Sequence, residues 1–213
     1  MVSLQWGRVG TRQYEGGVDR GVLYPQVGPG VPWDGLISVT ERSTGGDAMP
    51  YYYDGYKYLN VSASEEFEAD IEAFSAPKEF ARCDGTYSVG AGLYLTQQPR
   101  ESFDFSYRTM IGNDVDGQEH AYKLHLVYGA LAAPSDRSNV TLSNDPSPAT
   151  LSWSVTTAPP LITGFRPTAH VVFDSRETPA DFLTTIEETL YGNALNNPTM
   201  PDMQSLITSA QTW

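Results

Sequence analysis

Residues 65–74 read Glu-Glu-Phe-Glu-Ala-Asp-Ile-Glu-Ala-Phe, a strict alternation of carboxylates with apolar residues. Period two is the signature of an extended strand. As a strand, this stretch would present Glu66, Glu68, Asp70 and Glu72 on one face and Phe67, Ala69, Ile71 and Ala73 on the other. Like charges stacked along one strand face repel, so stability alone does not select them. The row therefore marks a surface whose acidity has a use, or else a solvated face that basic neighbours neutralise.

The rest of the chain sets limits on that use. Its 213 residues suffice for one sizeable core. Nineteen glycines, 15 prolines and 13 tyrosines point to many turns and short strands, hence a mostly β architecture. A formal net charge of -13 argues against a protein that grips nucleic acid, which requires a basic face. The single cysteine, Cys83, cannot form an internal disulfide and reads as a small buried residue. No leader peptide and no membrane span are expected, and cytosolic synthesis is the simplest expectation.

Along the chain, residues 1–35 are rich in glycine and proline and read as an extended N-terminal arm with one short strand at 21–24. Residues 36–192 form the expected β domain. It opens with a strand at 36–41 and a tyrosine-rich hairpin at 51–59 turning on Asp54-Gly55. One or two helical turns follow at 77–83, stopped by Asp84-Gly85. Two long strands, within 101–130, are expected to form an antiparallel pair. Their alternation suggests one apolar face (Phe103, Phe105, Tyr107, Tyr122, Leu124, Leu126, Tyr128) and one polar face carrying Asp104, Arg108, Lys123 and His125. Arg108, Lys123 and His125 are thus the candidate charge partners of the acidic row. A polar loop at 134–149, strands at 151–156 and 169–173, and a helix at 179–191 complete the domain. Thr178 would cap that helix, Pro179 would open it, Leu183, Ile186 and Leu190 would dock it, and Gly192 would end it. Residues 193–213 read as a C-terminal tail with a short helix at 203–208.

Catalytic signatures are missing from the sequence. There is no GxSxG elbow, phosphate loop, HExxH or paired CxxC. His120, His125 and His170 lack metal-ligand spacing, and His125 reads as a strand-face residue. Asn113-Asp114-Val115-Asp116-Gly117 imitates half of a calcium loop, but Gly112 stands where the first ligand belongs, so a hairpin loop is expected. Same-face strand carboxylates about 6.5–7 Å apart line one wall of a cleft rather than flank a bond, so the row does not imitate a glycosidase pair. Neither an enzyme, a metal site nor a cofactor is expected.

The run Phe103-Asp104-Phe105-Ser106-Tyr107-Arg108-Thr109-Met110-Ile111-Gly112-Asn113-Asp114, followed by Tyr122-Lys123-Leu124-His125-Leu126-Val127-Tyr128-Gly129-Ala130, resembles the major tail (tail tube) proteins of long-tailed, non-contractile bacteriophages, especially those of actinobacteria. Gly21-Val22-Leu23-Tyr24, Trp33-Asp34-Gly35-Leu36, Asp54-Gly55-Tyr56-Lys57-Tyr58, Glu79-Phe80-Ala81-Arg82-Cys83-Asp84-Gly85, Ser152-Trp153-Ser154 and Arg166-Pro167-Thr168-Ala169-His170 extend the resemblance over roughly residues 20–190. It implies a β-sandwich or barrel-like subunit with a flanking helix. Such subunits form rings, six to a ring, that stack into a virion tail tube and guide the genome during ejection. The implied partners are further copies of the chain, the tape-measure protein, the tail terminator and distal tail proteins, with double-stranded DNA in transit and no membrane. Under that reading Glu66, Glu68, Asp70 and Glu72 line the channel, and Tyr51, Tyr52, Tyr53, Tyr56 and Tyr58 sit at subunit contacts. The rival readings are a capsid-decoration or tail-tip β module, and a carbohydrate-binding module built on the aromatics.

Overall fold

The computed structural model describes residues 3–139, 141 and 148–212. The predicted loop at 134–149 falls partly outside these residues. Among these residues twelve strands, two α-helices and one short 3-10 helix, Lys78–Ala81 within the helical turns expected at 77–83, follow in chain order. The strands are β1 (Gln13–Pro25), β2 (Val31–Pro32), β3 (Leu36–Gly45), β4 (Ala48–Tyr53), β5 (Tyr56–Ser62), β6 (Glu65–Ala73), β7 (Tyr87–Gly90), β8 (Leu93–Leu95), β9 (Phe103–Asn113), β10 (Gly117–Ala132), β11 (Leu151–Thr157) and β12 (His170–Asp174). The helices are α1 (Ala180–Tyr191) and α2 (Met203–Ala210). The chain is mostly β, as its composition implies, and among the described residues no helix is long and apolar enough to cross a membrane.

One antiparallel sheet dominates, in the order β2-β1-β9-β10-β11-β6-β3, with β12 also paired to β10. The long strand β10 serves two neighbours in turn. Lys123–Val127 pair with β12, and residues 130–132 pair with β11. The switch occurs at an irregularity containing Gly129, whose φ of +62° and whose approach to Ala158 leave no space for a side chain; an added Cβ would stand 2.4 Å from the Ala158 carbonyl oxygen.

The β1 and β10 strands bury both faces. Leu23, Trp33, Ile71, Phe80, Phe103, Phe105, Tyr107, Val127, Trp153 and Val155 form an inner core to which β1, β6, β9, β10 and β11 all contribute. That arrangement is barrel-like. Val22, Tyr24, Leu124, Leu126 and Tyr128 on the opposite face meet Phe182, Leu183, Ile186 and Leu190 of α1 and Met203 and Leu206 of α2. The predicted helix is therefore present and docked by its predicted stripe. Thr178 does not cap it: Pro179 holds the cap position without a side-chain hydrogen bond. A missing cap costs about 1 kcal/mol, whereas each fully buried leucine or isoleucine contributes about 1.5–3 kcal/mol. Packing decides.

The expected faces of the β9–β10 pair need correction. Tyr107 lies opposite His125, Phe105 opposite Val127, and Arg108 opposite Leu124. A three-residue connection sets Asn113 against Gly117, so odd-numbered residues face odd-numbered ones, and the further shift before Ala121 preserves that parity. The aromatic row thus shares its face with Lys123, His125 and Val127, while Arg108 lies on the helix side.

Residues 13–25, read as part of an arm, are a strand of the main sheet, paired along its length with β9. Residues 3–12 form no helix or strand. The C-terminal segment is anchored by α2, slightly longer than the predicted 203–208, with Asp202 accepting from the Ser205 amide as its cap.

Candidate functional site: an acidic sheet face

β6 lies between β3 and β11, and its alternation holds: Ala69, Ile71 and Ala73 are buried, and Glu66 and Glu72 are exposed. Register extends the acidic row into a surface. Ser38, Thr40, Arg42 and Thr44 of β3 stand opposite Glu72, Asp70, Glu68 and Glu66. On the other side, Ser152, Ser154 and Thr156 of β11 stand opposite Glu72, Asp70 and Glu68. Hydroxyls donate to the carboxylates: Ser38 to Glu72 at 3.1 Å, Thr44 to Glu68 at 3.2 Å, and Ser154 to Asp70. Arg42 supplies the one guanidinium on this three-strand face, 2.7 Å from Asp70. Four carboxylates against one cation leave the face negative. The hydroxyls hold the carboxylates apart from one another without neutralising them.

The three basic residues proposed from sequence to offset this row reach other carboxylates. Arg108 forks onto Asp19 at 2.9 and 2.6 Å, with its guanidinium over the Tyr122 ring. Lys123 bonds Glu15 at 2.6 Å, and His125 lies 3.2 Å from Glu41. The physical reason is the sheet order. β9 and β10 are separated from β6 by β11, and the odd-with-odd register turns Arg108 to the helix layer and Lys123 and His125 to the inner face. Arg42, the cation that does join the acidic row, lies in a strand predicted to stop at residue 41.

The five tyrosines proposed as contacts lie on the β4–β5 hairpin. Asp54 and Gly55 turn it with φ of 50° and 78°, as a two-residue Asp-Gly turn requires. Tyr51, Tyr52, Tyr53, Tyr56 and Tyr58 are 55–80% exposed, and Met49, Leu59 and Val61 are exposed beside them. A second hairpin, β7–β8, exposes Val89, Leu93, Tyr94 and Leu95. Sequence reasoning missed it, although Gly90-Ala91-Gly92 was a usable turn signal.

At 113–117 the geometry is that of a hairpin loop. The Asn113 side-chain oxygen accepts from the Val115 amide, Asp114 accepts from the Gly10 amide, and Asp116 is engaged by Asn113 and His120, which hold its carboxyl below the ordinary range.

Inside the rim of the inner core, three residues distant in sequence meet. Glu41 of β3, His125 of β10 and His170 of β12 bring a carboxylate oxygen and two ring nitrogens within 4.8 Å of one another. Tyr107 donates to Glu41 at 2.6 Å and stacks on His125. The His125 contact holds the Glu41 carboxyl at about 2 against an opposing push from burial; burial takes His170 down to about 4 and pushes the Tyr107 hydroxyl up. Spacing in the sequence gives no sign of this cluster, because its members come from three strands.

No family model matches the chain, and no curated protein matches it. Among solved structures, the chain is similar to a component of the sheath–tube complex of an extracellular contractile injection system in the extended state, with 13% identity, TM-score 0.42, and 73% of this chain and 88% of that one covered. It is also similar to the tube-terminating cap of the anti-feeding prophage, with 11% identity, TM-score 0.41, and 82% and 96% covered. A chain of the anti-feeding prophage baseplate shares 7% identity at TM-score 0.41, with 80% and 97% covered. Likeness of this degree leaves function to be read from the chain's own residues.

Proposed function

We propose that this chain is a structural virion protein that polymerises, as stacked rings of six, into the tail tube of a long-tailed, non-contractile bacteriophage. The observation that carries the reading is the β3–β6–β11 face, an exposed sheet surface of carboxylates, serines and threonines with one guanidinium, backed by a buried core. The motif resemblance over residues 20–190 supplies the context in which such a face has a purpose.

In this reading Glu66, Glu68, Asp70 and Glu72 face the lumen. Double-stranded DNA carries one negative charge per about 1.7 Å of axis, so basic groups along a tube would hold it at every ring. A carboxylate surface repels phosphate over roughly a Debye length, about 8 Å at physiological salt. The hydroxyls keep the wall hydrated while offering no cation to a phosphate. The projecting tyrosine hairpin and the N-terminal residues ahead of β1 are the contacts to neighbouring subunits and rings. The tape-measure protein occupies the lumen before ejection, and tail terminator and distal tail proteins close the ends. Synthesis in the host cytoplasm precedes assembly. No catalytic role enters.

Electron microscopy of the purified chain is the test. Hollow filaments of uniform width, with the acidic face lining the bore, are expected. A chain that stays monomeric over a wide range of concentration and salt, or filaments whose carboxylates point outward or into intersubunit salt bridges, would sink the reading.

A further inference from the structure

The cluster beneath the edge strand β3 assembles more lone pairs than it has hydrogens to share. Thr109 donates its hydroxyl hydrogen to Glu15 at 2.9 Å, and Glu15, bonded to Lys123 as a carboxylate, can only accept. The 3.0 Å contact between Thr109 and His125 Nε2 is therefore made by the Nε2–H of His125. His125 Nδ1 then stands 3.2 Å from Glu41 Oε1 and 3.1 Å from His170 Nε2, so one ring nitrogen faces two neighbours at once. Oε1 already accepts the Tyr107 hydroxyl and carries negative charge. A hydrogen on either histidine nitrogen serves one of these two contacts and leaves the other unserved, whereas a cation among the three atoms serves both.

We propose that Glu41 Oε1, His125 Nδ1 and His170 Nε2 bind a divalent transition metal ion, with zinc the best match. Two imidazoles and a carboxylate are a zinc donor set, and tetrahedral bonds of about 2.0–2.1 Å place ligand atoms about 3.3 Å apart, near the two separations found here. The surroundings behave as an outer shell. Thr109 fixes the His125 tautomer from the far side of its ring, Tyr107 stacks on that ring and bonds Glu41, and Phe67 packs on His170 at 4.4 Å. The two histidine rings lie within 13° of parallel with Nδ1 of His125 and Nε2 of His170 facing, so the ion seats as the His170 ring turns about its soft Cβ–Cγ torsion while His125 stays held. Access comes from the Glu41 side, where the side chain is 39% exposed against 5% for His125 and 14% for His170. Solvent can take the fourth position there.

The site's effect is mechanical. β3 is the terminal strand of the sheet and, among the described residues, pairs with β6 alone. A metal joining Glu41 to β10 and β12 would clip this edge across the inner core. Arg42 and Thr44, the next residues pointing outward, would be held in register with the acidic row.

Chain stripped with EDTA should take up one Zn2+, and Co2+ in its place should give the intense visible bands of a tetrahedral complex, reversed by EDTA. Zn2+ should raise the Tm by several degrees. Glu41→Gln and His170→Asn should weaken uptake at least tenfold, while His120→Asn, outside the cluster, should leave it unchanged. No Co2+ spectrum and no Tm shift in the wild-type chain would overturn the proposal and assign the cluster to a proton held between Glu41 and the histidines. Uptake that His120→Asn abolishes and His170→Asn does not would equally overturn it. The inference does not rest on the tube reading, since binding is measured on the chain whether or not it polymerises.

Discussion

Asp174 carries a carboxyl held at about 2, chiefly by the Arg176 guanidinium two residues on. Its folded-state pKa is depressed, so its contribution to stability is complete above the ordinary value of 3.8 and drains away as pH falls through about 2. Asp174→Asn should flatten that part of the acid limb in urea melts between pH 5 and pH 2, and an unchanged slope would count against it. Other side chains show what is legible at this scale. Cys83 was readable as buried, and it is 1% exposed with its thiol pushed up to about 12 by burial. The alternation at 65–73 was readable too, because period two is written in the strand itself. The partners of Arg108, Lys123 and His125 were not, since a charge's partner depends on which strand lies next to it and on the parity of the register.

Among the described residues, the β4–β5 hairpin lies outside the main sheet, pairs only with itself, and exposes every residue. Its removal should therefore spare the core while removing the proposed contact surface. Replacing residues 49–61 with a short glycine linker should leave the urea midpoint of the monomer nearly unchanged and abolish filaments. Filaments of normal width would show that the tyrosines are not the contact. Residues 1–35 cannot be cut in the same spirit, because β1 supplies Leu23 to the inner core and pairs along β9. Only the stretch before Gln13 can be removed without opening the sheet. The helices show the complementary lesson. α1 was visible from its apolar spacing and α2 was expected as a short helix, but their shared platform on β1 and β10 was not, because the sequence cannot say that these strands bury both of their faces.

For the assembled particle, charge is the property to perturb. Glu66 and Glu72 are exposed, so Glu66→Lys with Glu72→Lys should leave folding intact and make the proposed bore attractive to phosphate. Wild-type filaments should leave duplex DNA unshifted at physiological salt. The double variant should retard it, with affinity falling steeply as salt rises, since each phosphate neutralised contributes a slope of about 0.9 in log K against log salt. Retardation by the wild type would refute a repelling wall. By itself the sequence determined the mostly β class, the acidic row with its apolar reverse, the tyrosine hairpin and both helices, because each is encoded by spacing within a few residues of chain. The tertiary structure alone decided that serines and threonines of β3 and β11 flank that row, that Arg42 is its one cation, and that Glu41, His125 and His170 meet. Those depend on strand order and register, which are set by loop parity, bulges and packing between segments far apart in the chain.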